Sequence, residues 1–239
     1  MAFVGNLVTS LDQAILDSLN VFARKSCVFD HVVSALADNH LLKGGVVMTF
    51  VWWAWFRATP DRGIRDREHI IATLFGCFVA LGIGRLLVVV LPFRIRPIHD
   101  VALGFVMPCF ANDSVLAKAS SFPSDHAVLF FALSTGLSFV SRRAGILAAL
   151  YTLVMIALPR MYLGLHYFSD IVAGGAVGVF TCSLVNHFLP TSRGVQTLNR
   201  VFSAKPMFFY PLLFLTTFEL AELFESTRAI ARGLLEIVE

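Results

Sequence analysis

Apolar residues in this chain gather into long blocks rather than alternating along it. From residue 41 onward the blocks run about 17–24 residues, the length a helix needs to cross a ~30 Å hydrocarbon core. They lie at about 41–57, 69–92, 123–140, 144–163, 168–189 and 206–224. Residues 1–40 follow another pattern. Leu7, Leu11, Ile15, Leu19 and Phe22 recur at helical spacing, and Phe29, Val32, Val33 and Leu36 repeat it after a break near Lys25 and Ser26. Such helices lie in a membrane interface or pack along a bundle, and these are too polar to span. The expected fold class is all-α, a polytopic membrane helical bundle of about six transmembrane helices plus an N-terminal amphipathic helical segment. The chain then divides into that segment (1–40), a six-span domain (41–225) and a short C-terminal tail (226–239). From Glu222 onward, with Arg228, Arg232, Leu234 and Leu235, the pattern is that of a short mixed-charge helix.

Composition agrees with a bilayer as solvent. The 239 residues are 57% hydrophobic and 15% charged, where a soluble domain carries roughly 25% charge. The net charge of +3 comes with no basic run, so nucleic acid is not an expected partner; membrane lipids are. Nothing in the sequence bears on oligomeric state. The first residues lack the charged and apolar regions of a cleaved signal peptide. The four cysteines, at 27, 77, 109 and 182, have no metal-ligand spacing. Cys77 and Cys182 lie in apolar blocks and read as packing residues. Cys27 and Cys109 fall on the same side of the membrane, which leaves a disulfide between them open. Arg57, Arg62, Arg65 and Arg67, the Ser141-Arg142-Arg143 turn, and Arg193, Arg200 and Lys205 share the other side, as cytoplasmic loops do. Arg94, Arg96, Lys118 and Arg160 stand opposite them, so this orientation holds only if those cations are kept for chemistry.

Two short patterns carry that chemistry. His166 and Asp170 are spaced to share a helix face. A carboxylate there can fix the imidazole tautomer and leave the other ring nitrogen as a nucleophile. Arg160 ends an otherwise apolar block, where a cation is costly and is usually paired, functional or snorkelling. Upstream, Ser121-Phe122-Pro123-Ser124-Asp125-His126 places proline at the start of a helix. The free N–H groups and Ser124 hydroxyl of such a start suit a phosphate, and His126 would stand beside it as a proton donor. Plain helix capping by Ser124 and Asp125 is the competing reading. Arg94 and Arg96, flanking Ile95 before Pro97, could grip phosphate oxygens or serve as ordinary flanking charge.

These residues resemble the three signature segments of the type 2 phosphatidic acid phosphatase superfamily. Arg96-Pro97 matches the first segment, Pro123-Ser124-Asp125-His126 is a variant of the second, and Arg160, His166 and Asp170 match the third, with Pro159 in place of a serine. The family's first-segment lysine is Val89 here. The resemblance implies a membrane lipid phosphatase that needs no cofactor and no metal. In it His166 attacks phosphorus, Asp170 orients His166, and His126 protonates the leaving oxygen. Arg96 and Arg160, with Ser124 and the Asp125 N–H, hold the phosphoryl oxygens. The implied partner is a lipid phosphate substrate, first of all undecaprenyl pyrophosphate, because of the Pro-Ser-Asp-His variant. Phosphatidate, phosphatidylglycerol phosphate and a lipid A phosphate, with hydrolysis or phosphotransfer, are alternatives, as is a non-catalytic lipid-binding or scaffolding role. The implied location is a bacterial inner membrane with the site on the extracytoplasmic face. Arg94 is the expected replacement for the missing lysine. Arg85 lies ~16 Å below Arg96 on a straight helix, out of reach.

Overall fold

The structure, a computed structural model, describes residues 2–57, 62–111, 117 and 119–238. Lys118 lies outside the described residues, as do the side chains of Leu7, Arg232, Leu234 and Leu235. The N-terminal segment forms α1 (Ala2–Asn20) and α2 (Cys27–Asp38). A π-helical turn at Leu41–Gly45 runs into α3 (Val46–Phe56), and α4 (Gly63–Val90) follows. Then come α5 (Asp125–Val140) and α6 (Arg142–Tyr151), the latter continuing through a π-helical stretch (Thr152–Ala157) into α7 (Leu158–Tyr162). The chain ends with α8 (Phe168–Phe188), α9 (Arg193–Ala204), α10 (Pro206–Ala221) and α11 (Glu225–Val238).

The apolar blocks therefore fold as helices where they were expected, in an integral membrane protein. Length sorts them. Gly63–Val90, Arg142–Tyr162 and Phe168–Phe188 are long and apolar enough to cross a membrane, and α9 and α10 reach that length only together, as a pair bent by 117°. Leu41–Phe56 and Asp125–Val140 are apolar but shorter. At 1.5 Å per residue α5 covers only ~24 Å, so three to four of the six blocks meet the full length.

α5 is the central rod. Val128, Leu129, Phe130, Ala132, Leu133 and Leu137 are wholly buried where it packs on α4, α6 and α8. Close approach of α5 and α8 requires two glycines. A Cβ on Gly178 would run into the Val128 carbonyl, and one on Gly174 would lie 2.6 Å from the Ser124 carbonyl oxygen. Small residues at helix crossings let backbones meet in this way. Cys77 and Cys182 are buried, as expected of packing residues.

The N-terminal helices turn only part of their apolar stripe inward. Leu11, Phe22, Phe29 and Val32 are each about half exposed, whereas Val33 is buried and Leu19 packs on the core. Asp12 and Leu16 on α1 and Asp30 and Ala37 on α2 are buried as well. Cys27 and Cys109 are joined in a disulfide, with Cα atoms 5.3 Å apart, which ties the start of α2 to the loop after α4.

Gly178→Ala should cost ~1–3 kcal/mol through overpacking, read as a lower thermal midpoint in detergent. Gly82→Ala is the control. A Cβ there meets nothing within 4 Å, so its midpoint should hold or rise.

Candidate active site

Three backbone hydrogen bonds gather the motif segments. Pro92 disfavours helical geometry at Leu91, and α4 stops at Val90 with Leu91 extended. The chain then turns across the end of the bundle. Ser121 N donates to the Arg94 carbonyl (3.0 Å), Ile98 N to the Gly164 carbonyl (2.9 Å) and Ser124 N to the Asp170 carbonyl (3.2 Å). Gly164 has φ +69°, and a Cβ on it would press on Phe105 and on Ile98 N, so this turn needs glycine.

His166 sits in the α7–α8 loop, 4% exposed. Its Nδ1 lies 2.8 Å from the Ser121 carbonyl oxygen and 3.7 Å from Asp170 Oδ2. A carbonyl only accepts, so Nδ1 carries the proton and Nε2 keeps its lone pair. His166 precedes α8 and so shares no helix face with Asp170, contrary to the spacing expectation; the carboxylate still contributes, but the nearer partner of His166 is a carbonyl from the preceding motif. Burial, more than the neighbouring Arg96 and Arg160, holds the His166 imidazolium below its usual pKa, against an opposing pull from Asp170. Burial likewise lowers the pKa of Arg96, which remains charged because guanidinium starts so high.

Each arginine faces a histidine. Arg96 donates to the carbonyls of Ala119 (3.2 Å), Leu165 (2.5 Å) and Ser120 (3.0 Å), and its Nη1 lies 3.4 Å from His166 Nε2. Arg160 Nη2 lies 2.7 Å from His126 Nε2 and 3.3 Å from the Ala37 carbonyl. Guanidinium only donates, so His126 Nε2 is an acceptor here. Beside these pairs, Ser121 Oγ, Ser124 Oγ and Arg160 Nε are buried without a hydrogen-bond partner among the described residues. Ser124 is the N-cap of α5 but its side chain makes no capping bond, which removes the plain capping reading for it. The α5 first-turn N–H groups, at Asp125 and His126, also lack intrahelical acceptors. Converging donors of this kind suit a tetrahedral anion. The only metal-like grouping of His, Cys, Asp and Glu among the described residues is Cys27, Asp30 and Cys109, whose two sulfurs are already bonded to each other.

Arg94 and Arg85 sit differently from the sequence expectation. Arg94 Nη1 bonds Asp170 Oδ1 (2.6 Å) and Ser169 Oγ (2.8 Å), its Nη2 bonds Asp12 Oδ2 (2.7 Å), and the guanidinium stacks 4.1 Å over the Tyr167 ring. Asp12 also accepts from Ser169 N (2.8 Å) and Ser169 Oγ (2.6 Å). The cation assigned to phosphate is thus fully engaged behind Asp170. Arg85, held to be too deep, pairs with Asp125 Oδ2 at 2.6 Å. The straight-helix distance does not apply, because Arg96 is not on that helix and Asp125 begins a neighbouring one. Val89, in the place of the family's lysine, is 81% exposed on the outer surface.

Sequence reasoning missed Asp12, the Ser121 carbonyl and Lys43. Asp12 lies beside the apolar stripe of α1, where one carboxylate carries no signal. Lys43 is 5% exposed, and its side chain makes no hydrogen bond or ion pair among the described residues. It lies within electrostatic range of Arg160 and His126, and also of Asp38, Glu222 and Glu225. A lysine two residues into an apolar block was the available signal.

Comparison with known proteins bears on this end of the molecule. Residues 90–193 match the family model of the PAP2 superfamily, so the resemblance read from the motifs holds for the segment that contains them. The chain is also similar to the crystal structure of the first transmembrane PAP2 type phosphatidylglycerolphosphate phosphatase from Bacillus subtilis. Identity is 22%, coverage is 79% of this chain and 89% of that one, and the TM-score is 0.45. A search of curated proteins finds no match.

Arg94→Ala leaves two buried carboxylates unpaired and should cost ~3–5 kcal/mol of stability. Arg85→Ala removes a half-exposed pair and should cost under ~1 kcal/mol. Denaturation midpoints of the two variants in the same detergent check this; equal losses would contradict the placement of Arg94.

Proposed function

We propose that this protein is an integral-membrane lipid phosphatase working through a phosphohistidine on His166. The observation that carries the reading is the unprotonated His166 Nε2, fixed by the Ser121 carbonyl and flanked by donors that lack acceptors. An incoming phosphoryl group gives Arg160 Nε, Ser124 and the first-turn N–H groups of α5 their acceptors, and can draw the Arg96 guanidinium from His166 Nε2. Phosphoryl transfer asks mainly for positioning and charge neutralisation, and this set supplies both. The His166 lone pair forms a bond to phosphorus as the bond to the lipid oxygen breaks. That oxygen keeps the electron pair and takes a proton from His126. In the second half His126 removes a proton from water, whose oxygen displaces His166 and releases phosphate. Arg160 occupies His126 Nε2 in the resting site, so the proton arrives with the substrate, as on a singly protonated phosphate, once Arg160 turns to the phosphoryl oxygens.

Arg94 and Asp12 act in this scheme as positioning groups for Asp170, and Arg85 as the counter-charge of Asp125. The second cation that the first segment lacks is assigned to Lys43. It neighbours Arg160 and His126, which makes it a holder of charge on the leaving group. That favours a lipid diphosphate, with undecaprenyl pyrophosphate the first candidate, over a monophosphate such as phosphatidate. The Cys27–Cys109 disulfide supports an oxidising, extracytoplasmic setting for this end, as does the arginine-rich opposite end.

Two experiments test the proposal. Phosphate release from a panel of lipid phosphates, with EDTA present, should be measurable for the natural chain and absent for His166→Ala of unchanged thermal midpoint. Near-normal release by that variant would end the covalent-histidine reading, and lipid binding without release by the natural chain would leave a binding protein. Lys43→Met should lower kcat/KM for the diphosphate at least ten-fold more than for a monophosphate, ~1.4 kcal/mol of transition-state stabilisation. Equal losses would count against the leaving-group role.

The pH dependence follows from His166. Protonation removes its nucleophilic lone pair, and burial pushes its pKa below the ordinary 6.5. The acid limb of kcat/KM should therefore be centred at a pH below 6.5. An acid limb centred above 7 would contradict a buried neutral nucleophile.

A further inference from the structure

At the opposite end of α5 a cavity of about 880 Å³ opens between α3 and α6. α5 separates it from Ser124 by ~24 Å, so it is no part of the catalytic site. Its walls include Phe50, Trp53 and Leu147, and its mouth carries Arg57, Arg142 and Arg143, with no acidic residue in the lining. Arg57 is fixed. Its Nη1 donates to the Val140 carbonyl at 3.3 Å and its guanidinium stacks 5.4 Å from the Trp53 ring centre. Arg142 and Arg143 are exposed and make no ion pair among the described residues. Trp53 and Leu147 are each about half exposed on the outer face of the bundle, where acyl chains lie.

We propose that this groove is a binding site for an anionic glycerophospholipid of the leaflet opposite the catalytic face. The volume falls within the range of ligand pockets, roughly 300–1,000 Å³. Three guanidinium groups at the mouth match a phosphate diester by charge and by fork geometry. The indole and leucine surface below them takes the glycerol backbone and the upper acyl carbons, with tryptophan at the depth where aromatic belts form. Basic pockets between membrane helices select anionic head groups in the same way. A zwitterionic head group would bring its own ammonium against the three arginines and is disfavoured.

The test is native mass spectrometry of the full chain from micelles holding equal amounts of dioleoylphosphatidylglycerol and dioleoylphosphatidylcholine. The natural chain should retain phosphatidylglycerol in preference. Arg142→Ala with Arg143→Ala should cut that retention at least five-fold, leaving phosphatidylcholine and the thermal midpoint unchanged. Arg142→Lys with Arg143→Lys should keep most of it. Arg160→Ala, which alters the catalytic end, should keep all of it. Unchanged retention in the double alanine variant, or retention lost only with Arg160, would overturn the proposal. The readout is bound lipid rather than turnover, so it stands or falls independently of the phosphatase reading.

Discussion

Arg94 bridges two buried carboxylates, and the geometry of the site hangs from that bridge. Asp170 is wholly buried in a bundle that has little water to solvate it. An unpaired carboxylate there would be costly. Arg94 pairs with it, and Asp170 in turn receives the Tyr167 N–H at 2.8 Å, which fixes the start of α8 beside His166. One carboxylate leaves the other side of the guanidinium unanswered. Asp12 answers it from α1 and takes the Ser169 N–H as well. The N-terminal helix is therefore docked by charge as well as by Leu16 and Leu19, with Leu11 left facing outward.

The same logic of buried charge explains the resting state of the two histidines. Arg96 and Arg160 are each about one-twentieth exposed, and a buried guanidinium has to find acceptors. Backbone carbonyls supply most of them, the imidazole nitrogens supply others, and Arg160 Nε is left without one among the described residues. The groups proposed to act on a phosphoryl ester are thus covered by the cations proposed to hold it. A phosphate dianion is a better acceptor than either imidazole, so its arrival is a reason for both arginines to turn and for both nitrogens to be uncovered together.

Much of this was legible in the chain. Apolar block length gave the helices, and Pro92 gave the end of α4. The motif spacing brought together His166, Asp170, Arg160, His126, Ser124 and Arg96, all of which the fold places at one end of the bundle. What escaped shares a physical cause. Asp12 and Lys43 reach the site through tertiary packing of the N-terminal segment and the first apolar block, and no local spacing encodes such a contact. The carboxylate partners of Arg94 and Arg85 escaped too, and the reach of Arg85 was judged along a straight helix. The extended turn after Pro92 aims Arg94 behind Asp170, while packing of α4 on α5 brings Arg85 to Asp125. The Ser121 carbonyl escaped because backbone acceptors carry no residue signature at all.

The central claim is that His166 Nε2 forms a bond to phosphorus, and chemical trapping tests it most directly. The full chain would be mixed with a lipid diphosphate carrying a labelled terminal phosphate, quenched in base within milliseconds, digested and mapped by mass spectrometry. The account predicts an acid-labile, base-stable phosphoryl group on the peptide containing His166, rising before free phosphate and absent from His166→Ala. Label on another residue, or phosphate released in a first-turnover burst with no labelled peptide, would contradict it.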